Sequence, residues 1–373
     1  MPDSHLPDSH LSNSDLPTPD LLYGEVEEEL RSAVRDFLTD HCPPAAVLAR
    51  VETDEPYDPR LWRGLADGLG VAGLQVPEEL GGAGASVREV ALVLEELGRS
   101  VAPVPYFGSS VLAVTALLAA GERELLPGLA EGSRTAALAV PFSTPPGAAL
   151  PRLTAGERLS GRITSVADAL AADVLLVPAG GALWAVERAE VTVLPRTSFD
   201  LTRPLADLEL DGARARKVAD GQEPVGEALL TGAGLLASEQ LGIAEWCLAT
   251  TVAYLKERHQ FGRPVGSFQA LKHRLADLWL EVVGGRAAAR YAADALATGS
   301  PDAAVAVAVA QSHCGALAVR AAEECVQLHG GIGMTWEHPA HLYLKRAKAD
   351  QLALGTPGFH RAALAGPVGL TMP

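Results

Sequence analysis

Tyr254-Leu-Lys-Glu-Arg-His-Gln-Phe-Gly-Arg-Pro-Val-Gly-Ser-Phe-Gln269 separates two long helical patterns, and the rest of the chain can be read outward from it. Before it, Leu241, Leu248, Val252 and Leu255 recur at helical spacing, which predicts a helix from about 228 to 258. After it, Leu271, Leu275, Leu278 and Val282 share one face, so a second helix is expected from about Phe268. A third covers roughly 302–328, and its Ala-rich surface suits close helix packing.

Further toward the N-terminus the texture changes. Short Val-rich runs at 136–140, 174–177, 183–186, 191–194 and 205–210, separated by turns, predict a small antiparallel β domain. Before it, helical spacing returns in Leu30, Val34, Phe37 and Leu38 and in Val90, Leu92, Leu94 and Leu97. The breaks there fall at Gly81-Gly82-Ala83-Gly84 and Pro103-Val104-Pro105. The first residues hold a near-repeat, Pro2-Asp3-Ser4-His5-Leu6 and Pro7-Asp8-Ser9-His10-Leu11, with no helical period. The expected organisation is therefore a disordered tail (1–21), an N-terminal helical domain (22–134), a middle β domain (135–220) and a C-terminal helical bundle domain (221–373). The chain is mainly α with a central β domain, an order that by itself assigns no function.

Composition narrows the classes. The 373 residues are 48% hydrophobic and 20% charged, enough for a large core divided among several domains. A formal net charge of −16 and a pI near 5.1 argue against a nucleic-acid groove. Cys42, Cys247, Cys314 and Cys325 are far apart, without CxxC or metal-ligand spacing, so reduced thiols, no metal site and a cytoplasmic setting are expected. The spacing of His5 and His10 is weak evidence for a metal site. Apolar runs such as 303–310 are too short to span a bilayer, and no membrane partner is expected.

Two segments carry a family resemblance: Tyr254–Gln269, and Cys325-Val-Gln-Leu-His-Gly-Gly-Ile-Gly-Met-Thr-Trp-Glu-His-Pro339. The 69–85 stretch with its Glu78-Glu79-Leu80-Gly81-Gly82 core, followed by Glu96-Leu97-Gly98-Arg99, adds to them. Together they resemble the acyl-CoA dehydrogenases over nearly everything after the tail. The resemblance implies that family's fold and FAD as cofactor. It also implies α,β-desaturation of an acyl-CoA thioester, with electrons passed to an electron-transfer flavoprotein. Arg258 matches the arginine that bonds the FAD pyrophosphate, a task for which a fixed guanidinium is suited. Phe261 matches an aromatic near the cofactor. Gln327 and Gly331 match contacts to the ADP part of an FAD bound mainly by a neighbouring subunit, and glycine permits close backbone approach there. The resemblance implies Thr356 as a further cofactor contact. Gln269, His273 and Glu337 are expected to serve packing.

The catalytic pattern is broken. Where the family places a glutamate directly before Gly-Thr, this chain has Leu354 before Gly355 and Thr356. The alternative glutamate position, early in the helix leading to Arg258, falls near Gly232. Glu239 lies about two turns further along and Glu227 just upstream, both weak alternatives. The flavin-cupping segment is also altered, reading Phe142-Ser-Thr-Pro-Pro-Gly147, with Gly161-Arg-Ile-Thr-Ser-Val166 after it. The missing parts belong to one half of a composite site. The chain thus resembles the subunit of heteromeric acyl-CoA dehydrogenases that lacks the base, with a sister chain supplying it in a heterotetramer. The alternatives are a homo-oligomeric flavoenzyme with a displaced base, and a non-catalytic partner protein. Gly232 and Ala233 place little bulk at the second base position, which would admit a branched, cyclic or sterol-like acyl group.

Overall fold

The computed structural model describes residues 19–367 and 369. Residues 1–18, most of the expected tail including His5 and His10, lie outside the described residues. Asp20 and Leu21 are held in place, their carbonyls accepting from Arg88 at 2.6 Å and Arg290 at 3.1 Å.

The N-terminal helices are α1 (Glu25–His41), α2 (Pro44–Arg50), α3 (Pro59–Arg63), α4 (Val87–Ser100), α5 (Val114–Ala119) and α6 (Leu126–Ala130). Local chemistry sets their starts: the Asp58 carboxylate accepts from the amides of Arg60 and Leu61, and Ser86 with Glu89 forms a capping box. Just before α5 the chain runs through a π-helical stretch, Phe107–Ala113, wholly buried.

Two four-stranded sheets form the middle of the chain. One has the order β1 (Ala136–Leu138), β4 (Val174–Ala179), β5 (Ala182–Glu187), β8 (Arg216–Asp220). The other has β2 (Thr154–Ala155), β3 (Leu159–Ala167), β7 (Leu205–Ala213), β6 (Thr192–Arg196). The expectation of a purely antiparallel domain is corrected at one edge, where β1 pairs with β4 in parallel. The physical reason is the long connection between them, which detours through β2 and β3 in the other sheet; parallel neighbours require such a crossover. β4 is buried along its whole length because it is covered twice. Val174 and Leu176 face the helical core, while Leu175 and Val177 face the second sheet. β3 was illegible as an apolar run because Gly161, Arg162 and Thr164 interrupt it and its ladder with β7 is irregular.

The C-terminal bundle comprises α7 (Glu223–Glu257), α8 (Gln269–Ala297), α9 (Ala303–Leu328) and α10 (Ala340–Leu352), with α11 (Pro357–Leu364) beside them. α7 binds the bundle to the N-terminal domain by direct backbone contact with α4. A Cβ on Gly98 would stand 2.2 Å from the Glu239 carbonyl oxygen, and one on Gly242 would stand 1.9 Å from that of Glu95. Only glycines fit this crossing. α9 also corrects the sequence reading. Its 26 residues, unlike the 303–310 run alone, are long and apolar enough to cross a membrane by length and composition. Here Ala306, Ala310, Ala318, Ala321 and Ala322 are packed in the bundle core.

Candidate functional site

α7 and α9 end at the same end of the bundle, where the Tyr254 ring stacks on His329 with centroids 4.5 Å apart. Two of the sequence-predicted elements meet there. Beyond α7 the chain makes a short hairpin, β9 (His259–Gln260) and β10 (Arg263–Pro264). Its two turn residues, Phe261 and Gly262, have φ of 54° and 74°, the geometry of a two-residue hairpin turn. Phe261 is an aromatic in the left-handed region and 89% exposed, so the turn holds an apolar ring out of the protein against local preference. Arg258, at the end of α7, is exposed and has no ion-pair partner among the described residues.

Beyond α9, Gly330–Met334 forms a short 3-10 turn. Gly330 has φ +64°, and a Cβ on Gly331 would meet nothing within 4 Å, so the backbone can be approached from outside. Gly333 differs: its Cβ would lie 2.4 Å from the Val326 carbonyl oxygen, so this glycine serves packing. Gln327 is exposed. An unpaired guanidinium, a projecting aromatic ring and an open glycine turn at one end of the bundle fit the ADP side of a dinucleotide. Gln269, His273 and Glu337 are exposed near these elements.

The two positions expected to carry a base are brought together by the fold. Leu354 is fully buried at φ +49°, its amide donating to the Phe142 carbonyl oxygen at 2.9 Å. A Cβ built on Gly232 would stand 3.1 Å from Leu354 Cδ1. The expectation that Gly232 leaves open room is corrected, because Leu112 Cδ2 would be only 2.4 Å from that Cβ. The side chains of Leu112 and Leu354 thus close over Gly232, so both positions expected to carry a base are surrounded by hydrocarbon. Thr356 is exposed, and its hydroxyl caps α11 by accepting from the Phe359 amide at 3.2 Å.

The altered β segments also converge here. The Phe142 amide donates to the Ser165 carbonyl oxygen at 2.9 Å. Phe142, Ser143, Ser165, Arg203, Leu352 and Ala353 line a recess of about 260 Å³. That is less than the roughly 300–1,000 Å³ typical of small-molecule sites.

Beside this recess lies an ionic cluster that the sequence reading missed. Arg203 donates to both Glu239 carboxylate oxygens, at 2.9 and 2.6 Å, and to Asp350 at 2.9 Å. Arg346 donates to Glu239 at 2.5 Å, to Thr202 at 2.6 Å and to Asp200. The Arg203 guanidinium also lies 5.0 Å from the Phe107 ring centre. All these charged groups are buried. Burial favours the neutral acid at Glu239, but Arg203 and Arg346 outweigh it and hold the carboxyl below its ordinary range. At Asp350 burial, reinforced by Glu239, pushes the carboxyl well above its ordinary range. Glu239 and Asp200 therefore face the two guanidiniums as carboxylates, while burial and Glu239 bias Asp350 toward its neutral form. One signal was available: Arg346 and Asp350 stand four apart in α10, on the same buried stripe as Leu342, Tyr343 and Ala347. Glu227 is exposed on the first turns of α7.

Residues 24–133 match the family described as "Acyl-CoA dehydrogenase, N-terminal domain", and residues 219–368 match "Acyl-CoA dehydrogenase, C-terminal domain". Acyl-CoA dehydrogenase IpdE2 of Mycolicibacterium smegmatis is 40% identical over 333 residues, covering 89% of this chain and 96% of that one. Among solved structures, the ChsE4-ChsE5 complex from Mycobacterium tuberculosis superposes with a TM-score of 0.85 at 30% identity, covering 95% of this chain and 100% of that one. A steroid ACAD, Tcur3481-Tcur3483, gives 0.83 at 31% identity, over 94% and 99%.

Proposed function

The chain belongs to the acyl-CoA dehydrogenase family, and from that premise we propose that it is the subunit of a two-chain enzyme that clamps the cofactor but lacks the base. Members of this family depend on FAD. The cofactor supplies the hydride acceptor for α,β-desaturation of an acyl-CoA thioester. In this reading Arg258 pairs with the pyrophosphate, Gln327 and the Gly331 backbone hold the ADP side, and Phe261 packs against the cofactor. Thr356 contributes its hydroxyl. The carboxylate that removes the α-proton comes from the sister chain.

The observation that carries the reading is the meeting of Leu354, Gly232 and Leu112. Leucine cannot take a proton, and the space beside it is filled with hydrocarbon. Exposed apolar side chains on the bundle, including Trp279 and Leu280 on α8 and Met334 beside the glycine turn, support a partner surface. The paired chains of the ChsE4-ChsE5 and Tcur3481-Tcur3483 structures support a hetero-oligomer. The steroid designation of the latter supports a bulky, cyclic acyl-CoA substrate. An electron-transfer flavoprotein is the acceptor we propose.

The homo-oligomeric alternative needs a displaced base. Its candidate, Glu239, is fully buried between two guanidiniums. The test is acyl-CoA-dependent bleaching of flavin absorbance, measured on the isolated chain with FAD added in excess and on its complex with any sister chain encoded beside it. Bleaching by the complex alone is expected. Bleaching and turnover by the isolated chain would overturn the assignment.

A further inference from the structure

A cavity of about 770 Å³ opens where the N-terminal helices meet the β domain, within the roughly 300–1,000 Å³ range of small-molecule sites. It lies at the N-terminal ends of β1 and β4, next to Thr135 and Asp173. The recess lined by Phe142 lies past the other end of β1, and the two share no lining residue. Pro56, Pro59, Pro105, Pro195 and Pro204 form the walls of the cavity with Leu170 and Trp62. Proline fixes φ and carries no N–H, so these walls are set before a ligand arrives and the prolines offer it no donor.

The hydroxyl and indole donors around the cavity are already spent inside the protein. The Trp62 indole N–H donates to the Gly132 carbonyl oxygen at 3.1 Å, and the Tyr57 hydroxyl donates to Asp168 at 2.8 Å. Thr53, Ser133 and Thr135 donate to the carbonyl oxygens of Arg50, Gly128 and Ala171 at 2.8, 3.2 and 2.5 Å. Arg196, the cation in the lining, is paired with Asp207. Acceptors, by contrast, are in surplus. Asp58 caps α3 and pairs with Arg50 at 3.2 Å, while Glu55 reaches Arg50 only at 3.7 Å. One Asp173 carboxylate oxygen accepts from the Thr135 amide at 2.8 Å, and the other has no hydrogen-bond partner among the described residues. The Asp54 carboxylate has neither a hydrogen bond nor an ion pair among them, and both aspartates are exposed at the rim.

We propose that this cavity binds a small organic cation, a primary ammonium on an apolar, ring-bearing body. The ammonium brings three donors and a positive charge, which the free oxygens of Asp54 and Asp173 accept. The body covers Trp62, Leu170 and the proline rings and gives up its contact with water. A neutral ligand of the same shape leaves the two carboxylates to water, and an anion of that shape is repelled by Asp54, Glu55 and Asp173. Charge and shape select together: carboxylates alone would hold any cation, and proline walls alone any hydrocarbon.

The experiment titrates four probes into the full chain by calorimetry at physiological ionic strength. They are tryptamine, the neutral tryptophol with the same ring and reach, the anionic indole-3-propionate, and spermidine, which has charge but no ring. Tryptamine should bind about tenfold more tightly than tryptophol, the worth of a hydrogen bond between charged groups, and the other two more weakly than tryptamine. Asp54→Asn with Asp173→Asn should bring tryptamine down to the level of tryptophol and leave tryptophol unchanged. Asp54→Asn alone touches no internal bond, so it keeps the fold and should already weaken tryptamine severalfold. Ser133→Trp, which puts bulk into the cavity from an exposed position, should abolish binding of tryptamine and tryptophol alike. Tryptophol, indole-3-propionate or spermidine matching tryptamine would overturn the proposal. So would tryptamine failing to bind at millimolar concentration, or binding equally well to the variants.

Discussion

Glu239→Gln separates a structural carboxylate from a catalytic one. In the folded chain Glu239 is fully buried and accepts from Arg203 at 2.9 and 2.6 Å and from Arg346 at 2.5 Å. Removing its charge leaves two buried guanidiniums facing Asp200 and an Asp350 whose carboxyl is pushed upward by burial. Breaking a buried pair in this way costs about 3–5 kcal/mol. Compensation is built in, because Glu239 is one of the groups that bias Asp350 toward its neutral form. With Glu239 gone, Asp350 ionises more readily and takes over part of the balance, so the loss should sit near the lower end. At roughly 2 °C per kcal/mol, the melting temperature should fall by about 6 °C. Glu239→Gln combined with Asp350→Asn should lose more than the sum of the two single changes. The sign with pH follows from the depressed carboxyl: its stabilisation is present above the ordinary glutamate range and is lost as pH falls through the lowered value. The assay pairs thermal unfolding with turnover by the two-chain complex well below its melting temperature, where turnover should be unchanged. An unaltered melting temperature with turnover down a hundredfold or more would refute the reasoning and make Glu239 the base.

Arg258→Ala should leave the melting temperature within the small range of surface substitutions while weakening FAD retention by the complex roughly ten- to a hundredfold, as read by flavin absorbance after gel filtration. Glu95 supplies a pH test, since burial and then Glu245 push its carboxyl up to about 7 despite Arg31. A group raised in the folded state stabilises below its unfolded value, near 4.5, and loses that contribution as pH rises through about 7. Denaturant titrations should therefore show Glu95→Gln gaining about 3 kcal/mol on the unaltered chain between those limits, and a flat difference would count against it. Gly242→Ala should destabilise by about 1–3 kcal/mol in the same titration, despite the better helix former, because its Cβ would collide with the Glu95 carbonyl oxygen at 1.9 Å.

Periodicity made the long helices legible. α7 and α9 start and end within a few residues of the pattern, since apolar spacing and packing demand the same thing there. The sheets were harder to read. β4 shows as an apolar run because both its faces are covered, whereas β3, with one face partly open and a glycine inside, does not. The parallel pairing of β1 with β4 had no local signal, because it is set by where a long connection returns. Arg258, Phe261, Gln327 and Gly331 are legible as candidates because their motifs are contiguous. The approach of Gly232 to Leu354 is a contact across the fold, and the Leu112 side chain that fills the gap comes from a third element. The ionic cluster is hidden for the same reason: Arg203, Glu239 and Arg346 belong to three separate stretches.

The most direct measurement is the flavin content and solution mass of this chain purified alone and co-purified with its sister chain. The isolated chain should hold little FAD, and the mixture should form a flavinylated hetero-oligomer that loses its FAD when this chain carries Arg258→Ala. A homo-oligomer of this chain alone, holding one FAD per subunit and oxidising an acyl-CoA, would contradict it.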